Sequence, residues 1–419
     1  MASPKLRFKA FDGDWRSVSL LEISTLITKG TTPKQFIDGN INFLKIEAIT
    51  QNGFELSKCQ TISEEINNKE LKRSILMEGD ILFAIAGATI GKNAIVQKEL
   101  LPANTNQALA IIRLKENYSK VFISKVLNSP LMEKYIDINI STGAQPNLNL
   151  QQIGSFSFTL PNLEEQTKIA TFLSAVDEKI SQLSQKLHLL GQYKQGMMQK
   201  LFSQQIRFKA NDGSEFGEWG KVKFSESFVF HNTNSYSRAL LSEVGEVMNI
   251  HYGDIHTKFS MLFDVSKEIV PFLNDQIDST KIAENQFLKE GDLVIADASE
   301  DYKDIGKAIE VVHLNNQKVV AGLHTYIARP VQPFALGFCG YLMQTFEVRE
   351  QIKKLATGTS VLGISKTNIG KVEIKLPSLE EQTKIANFLS SIDQKIEVVA
   401  QQIEQAKLWK KGLLQQMFV

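Results

Sequence analysis

The stretch HYGDIH at 251–256 gathers two imidazoles and a carboxylate, a set that could hold a metal ion or make polar contacts. On a strand, His251 and His256 would face opposite sides, so polar readout or a turn fits better than a metal. GATIGK at 87–92 invites comparison with a phosphate loop, but its glycine spacing is one residue short and Asn93 stands where Ser or Thr is needed. It reads as a turn at a strand end. No Gly-x-Gly-x-x-Gly follows a strand and opens a helix, and neither a Gly-x-Ser-x-Gly elbow nor a His-Glu-x-x-His helix occurs. Cys59 and Cys339 lie far apart without metal-ligand spacing and are expected to be buried free thiols in a reducing compartment. No catalytic, metal or cofactor-binding residue is therefore expected, and the chain is not read as an enzyme by itself.

The remaining chemistry must come from surfaces, so the elements that carry them matter. The 419 residues are enough for two or three domains, each with its own core. Hydrophobic content of 43% with 22% charged residues excludes a mostly disordered chain. No apolar run approaches the ~18 residues that span a bilayer. The opening MASPKLRFKA lacks the apolar core of a secretory signal, so a cytoplasmic location is expected. A net charge of +1 gives no bulk argument for nucleic acid.

Self-similarity organises the sequence. LPNLEEQTKIATFLSAVDEKI at 160–180 recurs as LPSLEEQTKIANFLSSIDQKI at 376–396, with 16 of 21 positions identical. RFKA at 7–10 recurs at 207–210, each copy followed by Asp-Gly and then Trp15 or Trp219. Glu78-Gly79-Asp80 matches Glu290-Gly291-Asp292, Ile153-Gly154 matches Ile369-Gly370, and Thr142-Gly143 matches Thr357-Gly358. Between these landmarks the copies diverge, so one scaffold carries two different surfaces.

The repeated tails read as helices. Ile169, Leu173, Val176, Ile180, Leu183, Leu187 and Leu190 alternate steps of four and three, as do Ile385, Leu389, Ile392, Ile396, Val399 and Ile403. This is a coiled-coil seam, interrupted at Lys194 and Lys410, where the helix ends are expected to leave the seam and dock on a globular domain. Asn162 with Glu165, and Ser378 with Glu381, have the spacing of a reciprocal capping box. Some 40 residues at ~1.5 Å each would make helices about 60 Å long. Antiparallel pairing of the two within one chain lets each variable region sit at one end without crossing the coil. Strands are expected at 41–49, 80–85, 108–114 and 156–160, then at 247–255, 292–297, 308–314, 324–330 and 372–376. Helices are expected at 119–128, from Pro130, and around 334–355.

The order RFKA…Trp, variable region, LPNLEEQTKIATFLSAVDEKI, then the same series again, resembles the specificity subunit of type I restriction-modification systems (HsdS) over essentially the whole chain. The resemblance implies an α+β protein: two mixed sheet-helix target recognition domains separated by two long antiparallel coiled-coil helices in a pseudo-two-fold internal repeat. The domains would be 1–160 (N-terminal segment and first recognition domain), 161–205 (central helix), 206–376 (second recognition domain) and 377–419 (C-terminal helix). It implies double-stranded DNA as the ligand, read as two half-sites over a spacer. It also implies two methyltransferase (HsdM) subunits and restriction/translocase (HsdR) subunits as partners, with S-adenosylmethionine and ATP on those partners and none on this chain. A scaffold with two protein-binding domains is the alternative.

Reading bases calls for amide, hydroxyl, imidazole and cationic groups on loops. In the first variable region the candidates are Lys29, Thr31, Thr32, Lys34, Lys45, Lys92, Asn106, Gln107, Gln145 and Asn147. In the second they are Asn232, Asn234, Tyr236, Arg238, His251, Tyr252, His256, Lys303, Lys307, His324 and Ser360. Residues 16–160 hold 15 basic and 13 acidic groups, and 220–376 hold 17 and 19. Such balance suits weak DNA binding by the isolated chain, completed by its partners.

Overall fold

The computed structural model describes residues 4–50, 53–140 and 146–418. Two compact units emerge: residues 1–186 with 399–419, and residues 187–398. Both long helices, Leu163–Phe202 and Leu379–Met417, are continuous and contribute one stretch to each unit.

In unit 1 a central antiparallel sheet runs in the order Ser24–Lys29, Leu109–Leu114, Ile81–Ala84, Asn93–Ile95. A smaller sheet places Ile41–Leu44 between Gln60–Ile62 and the parallel strand Ala103–Thr105. Helices Lys120–Leu127 and Pro130–Asn139 cover the central sheet; Ser119 caps the first, and Pro130 opens the second at the position where its missing N–H costs nothing. The core gathers Trp15, Phe83, Ile112 and Phe122 with Ile169, Leu173, Val176 and Ile180 of the first long helix and Leu413, Met417 and Phe418 at the end of the second. The helices run in opposite directions here. Phe172 meets Trp409 edge-on at 6.1 Å, while the N–H of Leu6, whose neighbour Arg7 holds Glu165, donates to the Gln416 carbonyl.

Unit 2 repeats this plan, with one strand more in each of the two sheets among the described residues. Its sheet order is Phe228–His231, Thr325–Pro330, Leu293–Ala296, Ala308–His313, Leu262–Asp264. Its second sheet sets Val247–Ile250 parallel to Lys318–Ala321. Trp219, Phe338 and Tyr341 share a core with Leu201 and Phe202 of the first long helix and Ile385, Leu389 and Ile392 of the second.

Most expected elements are present, and the differences have local causes. The segment 41–49 is a strand only to Leu44 and then closes into a 3-10 turn at Ile46–Ala48. The segment 247–255 stops as a strand at Ile250, and Tyr252–Thr257 is a helix, capped by His251 Nδ1 accepting from the Gly253 N–H. GATIGK is a hairpin turn, with Gly87 and Gly91 at φ of 81° and 93°. The capping boxes are only half made. Asn162 accepts from the Glu165 N–H, but the Glu165 carboxylate takes two bonds from Arg7, both at 2.7 Å. Glu381 is likewise taken by Arg207.

Along the seam, Ile169, Leu173, Val176, Ile180, Leu183, Ile385, Leu389, Ile392, Val399 and Ile403 are buried, whereas Leu187, Leu190 and Ile396 are half-buried. The helix ends do dock on the globular cores, through Leu201 and Phe202 and through Leu413, Met417 and Phe418, but Lys194 and Lys410 themselves stay on the helix pair, each bonding an aspartate of the facing helix. Lys410 reaches Asp177 at 2.6 Å and Lys194 reaches Asp393 at 2.5 Å. Burial alone would push the Asp177 carboxyl up, but hydrogen bonds from Lys125 and Lys410 carry it below the usual carboxylate range. Among the described residues no helix is long and apolar enough to cross a membrane. Cys339 is buried, Cys59 is half-buried, and both are free thiols.

Candidate nucleic-acid interface

Antiparallel pairing decides which loops meet. In unit 1, Lys29 pairs with Ala110 and Ala84 with Leu109, so strands 24–29 and 81–84 finish at the end where strand 109–114 starts. The loops 30–34, 85–92 and 105–108 therefore gather at one end of the sheet. The parallel strands 41–44 and 103–105 bring Lys45 there as well. The same logic in unit 2 gathers the segments after His231, Ile250 and Ala296 with the segment before Thr325.

A charged brace fixes this frame in both units. Asp80 is buried and accepts two bonds of 2.7 Å from Arg113, whose guanidinium also reaches the Ile75 carbonyl. Asp292 is held the same way by Arg329, which also reaches the Phe287 carbonyl. The paired landmarks Gly79-Asp80 and Gly291-Asp292 are thus structural turns: both glycines have positive φ, 84° and 89°.

The candidate residues fall at these loop ends. In unit 1 the Thr32 hydroxyl donates to Gln107, Arg73 reaches Thr31 Oγ1 at 3.3 Å, and Lys29 and Lys92 are exposed. Lys45 bonds Gln60 and lies over the Phe36 ring at 5.1 Å. The Lys34 N–H donates to Glu70, Asn106 turns its own loop by accepting from Ala108, and Asn147 bridges to Ala86. Lys92 also lines a cleft of about 940 Å³ with Lys125, Lys407, Lys410 and Lys411. Gln145 lies outside the described residues. Sequence reasoning missed Arg73 and Gln60, which only the tertiary fold brings to this end.

In unit 2 the candidates form a tighter group. The Tyr252 ring is flanked by His251 at 4.7 Å, His324 at 5.3 Å and His256 at 6.2 Å. Buried Asp254 holds the exposed cations Arg238 and Lys258 at 2.9 and 3.0 Å; Lys258 was also missed. Burial works to raise the Asp254 carboxyl, but these two hydrogen bonds bring it below its ordinary value. Burial and the Arg238 charge lower His251. Asn234 bonds Asn249 and supports the Tyr236 N–H, while Lys307 donates to the His256 carbonyl. Asn232, Lys303 and Ser360 are exposed, and Ser360 sits in the turn closed by Thr357 and Gly363. Buried Asn249 Nδ2, Asp254 Oδ2 and His256 Nδ1 have no partner among the described residues. Among those residues no group of three or more His, Cys, Asp or Glu side chains could hold a metal ion.

A repeated frame that holds its braces constant while its polar loop ends differ defines a two-headed recognition protein. The sequence profile of the type I restriction modification DNA specificity domain matches residues 12–190 and again residues 218–408, and the chain belongs to that family. Recognition of a DNA target with two specificity domains is therefore its function. The putative type I restriction enzyme MjaX specificity subunit of Methanocaldococcus jannaschii is 27% identical over 415 residues, covering 96% of this chain and 92% of that protein. The EcoBI specificity subunit of Escherichia coli is 31% identical over 140 residues, 33% of this chain and 28% of that one. The fold resembles the type I restriction-modification S subunit of M. genitalium, with TM-score 0.56, 14% identity, and 100% and 99% of the two chains covered. It also resembles a chain from a structure of type I restriction-modification complex assembly and conformational transition, with TM-score 0.59, 18% identity and 96% of each chain covered.

Proposed function

We propose that each head reads one half-site of a bipartite duplex target through the loop end of its central sheet, and that the long helices keep a fixed spacing between the half-sites. The observation that carries this is the internal contrast. The Asp80–Arg113 and Asp292–Arg329 braces repeat, while the groups at the loop ends are Thr, Gln and Lys in one head and His, Tyr and Arg in the other. The candidate residues given above make the base and phosphate contacts. The chain itself is non-catalytic and cytoplasmic. It carries no cofactor and recruits methyltransferase subunits with S-adenosylmethionine, and ATP-driven restriction subunits. The near-neutral heads support this division of labour, because phosphate neutralisation supplies most non-specific affinity.

Replacing residues 220–376 with the same region of another specificity protein should change one half of the DNA sequence methylated by the reconstituted complex and leave the other half intact. Loss of the entire methylated sequence from an assembled complex would refute one half-site per head. Normal assembly of a chain that never engages DNA would favour a protein-binding scaffold.

A further inference from the structure

Resting on the loop ends as the DNA surface, we propose that His324 is a specificity-determining residue of the second head, presenting Nε2 of its imidazole to a base edge. Four features single it out. Its backbone is left-handed, with φ of 59°, a conformation that glycine adopts freely and a Cβ disfavours, although histidine takes it more often than most side chains. Its ring is half exposed, unlike a side chain kept for packing. Asp297 grips it twice: the Asp297 N–H donates to the His324 carbonyl at 3.0 Å, and Asp297 Oδ1 lies 3.2 Å from His324 Nδ1. The Tyr252 ring stands across the imidazole at 74°.

The contact with Asp297 settles the chemistry. A carboxylate only accepts, so Nδ1 is the protonated nitrogen and Nε2 is left for a ligand. A neutral ring would accept there from the exocyclic amine of adenine or cytosine, and a protonated ring would donate to guanine N7 or O6. Asp297 is itself tied to the Tyr326 hydroxyl, whose pKa is pushed up to about 12, first by burial and then by the Asp297 charge. The ring is thus preorganised before any DNA arrives.

The first head makes the same backbone contact without the chemistry. There the Ile85 N–H donates to the Ala108 carbonyl, also at 3.0 Å, and neither side chain can hydrogen-bond. The frame does not require a strained histidine at this position.

The test uses the complex reconstituted with methyltransferase subunits and DNA selected by binding from a random-sequence pool. His324→Gly relieves the backbone, so its melting temperature should equal or exceed that of the parent. The selected sequences should nevertheless lose about 10-fold of their preference at one position in one half-site. His324→Asn should keep the fold and change the preferred base there, and Asp297→Asn should weaken the same position. The other half-site and the affinity for unrelated DNA should stay as they were. An unchanged half-site in both stable His324 variants would overturn the inference. So would a selective fall in melting temperature, which would mark a structural role. A parent complex that assembles but selects no sequence at all would instead count against the DNA-surface reading itself.

Discussion

Unit 1 and unit 2 share three ion pairs and differ in the polar groups of their exposed loops. Arg7 with Glu165 and Arg207 with Glu381, Asp80 with Arg113 and Asp292 with Arg329, Asp177 with Lys410 and Asp393 with Lys194 are the same three arrangements made twice. Of these carboxylates, Glu165, Glu381, Asp80 and Asp292 are buried and Asp177 and Asp393 half-buried, and a charge stranded in the interior costs far more than the pair returns. A position that must be satisfied in pairs can change only in pairs, which holds the frame still while exposed loop groups vary singly.

The two frames are most vulnerable at the sheet braces. Arg113→Ala and Arg329→Ala strand Asp80 and Asp292, each 1% exposed, and each should cost about 3–5 kcal/mol in denaturant unfolding. Tolerance of one and not the other would show that the two frames are not equivalent.

A smaller effect should distinguish the units by pH. Glu310 faces Leu293 across the sheet and accepts from the Gly337 and Gly340 N–H groups at 2.6 Å, whereas Ile95 occupies the matching place opposite Ile81. Burial raises the Glu310 pKa to about 7 from an ordinary value of 4.5. Between those values the folded chain keeps a proton that the unfolded chain has released, so stability falls as pH rises through this window, by on the order of 3 kcal/mol. Glu310→Gln should flatten that fall in thermal melts at pH 5, 6.5 and 8. An equal slope in parent and variant would remove Glu310 as its source.

The smallest contrast lies at the tryptophans. The Trp219 indole donates to Glu381 at 3.1 Å, while Trp15 Nε1 finds no acceptor among the described residues. Trp219→Phe should therefore destabilise by about 1–2 kcal/mol more than Trp15→Phe in the same unfolding measurement. Equal costs would mean that the Trp219 bond adds nothing.

Much of this frame was legible in sequence because it depends on local pattern. The heptad steps placed both long helices, alternation and β-branched content placed most strands, and Ser129-Pro130 marked a helix start. What escaped depends on distant partners. Glu165 has the spacing of a capping residue, but Arg7 lies far off in sequence and claims its carboxylate. The run VMNIHYGDI alternates like a strand, yet the His251 side chain caps a short helix after Ile250. The loop ends were recognisable as polar but not as a surface, since Arg73, Gln60 and Lys258 join them only once the sheets close. The two-fold grip of Asp297 on His324 has no sequence signature at all.

The closed bond between Thr32 and Gln107 has an energetic consequence. A ligand that takes the place of the Thr32 hydroxyl on the Gln107 carbonyl oxygen displaces a partner already there, so the gain is the difference between two hydrogen bonds and not the whole of one. An edge with poorly aligned donors and acceptors would leave the pair shut and contribute nothing, while a well-matched edge would open it. Self-satisfaction of this kind lowers the return from that one carbonyl contact and in exchange sets a threshold that only a good fit can cross.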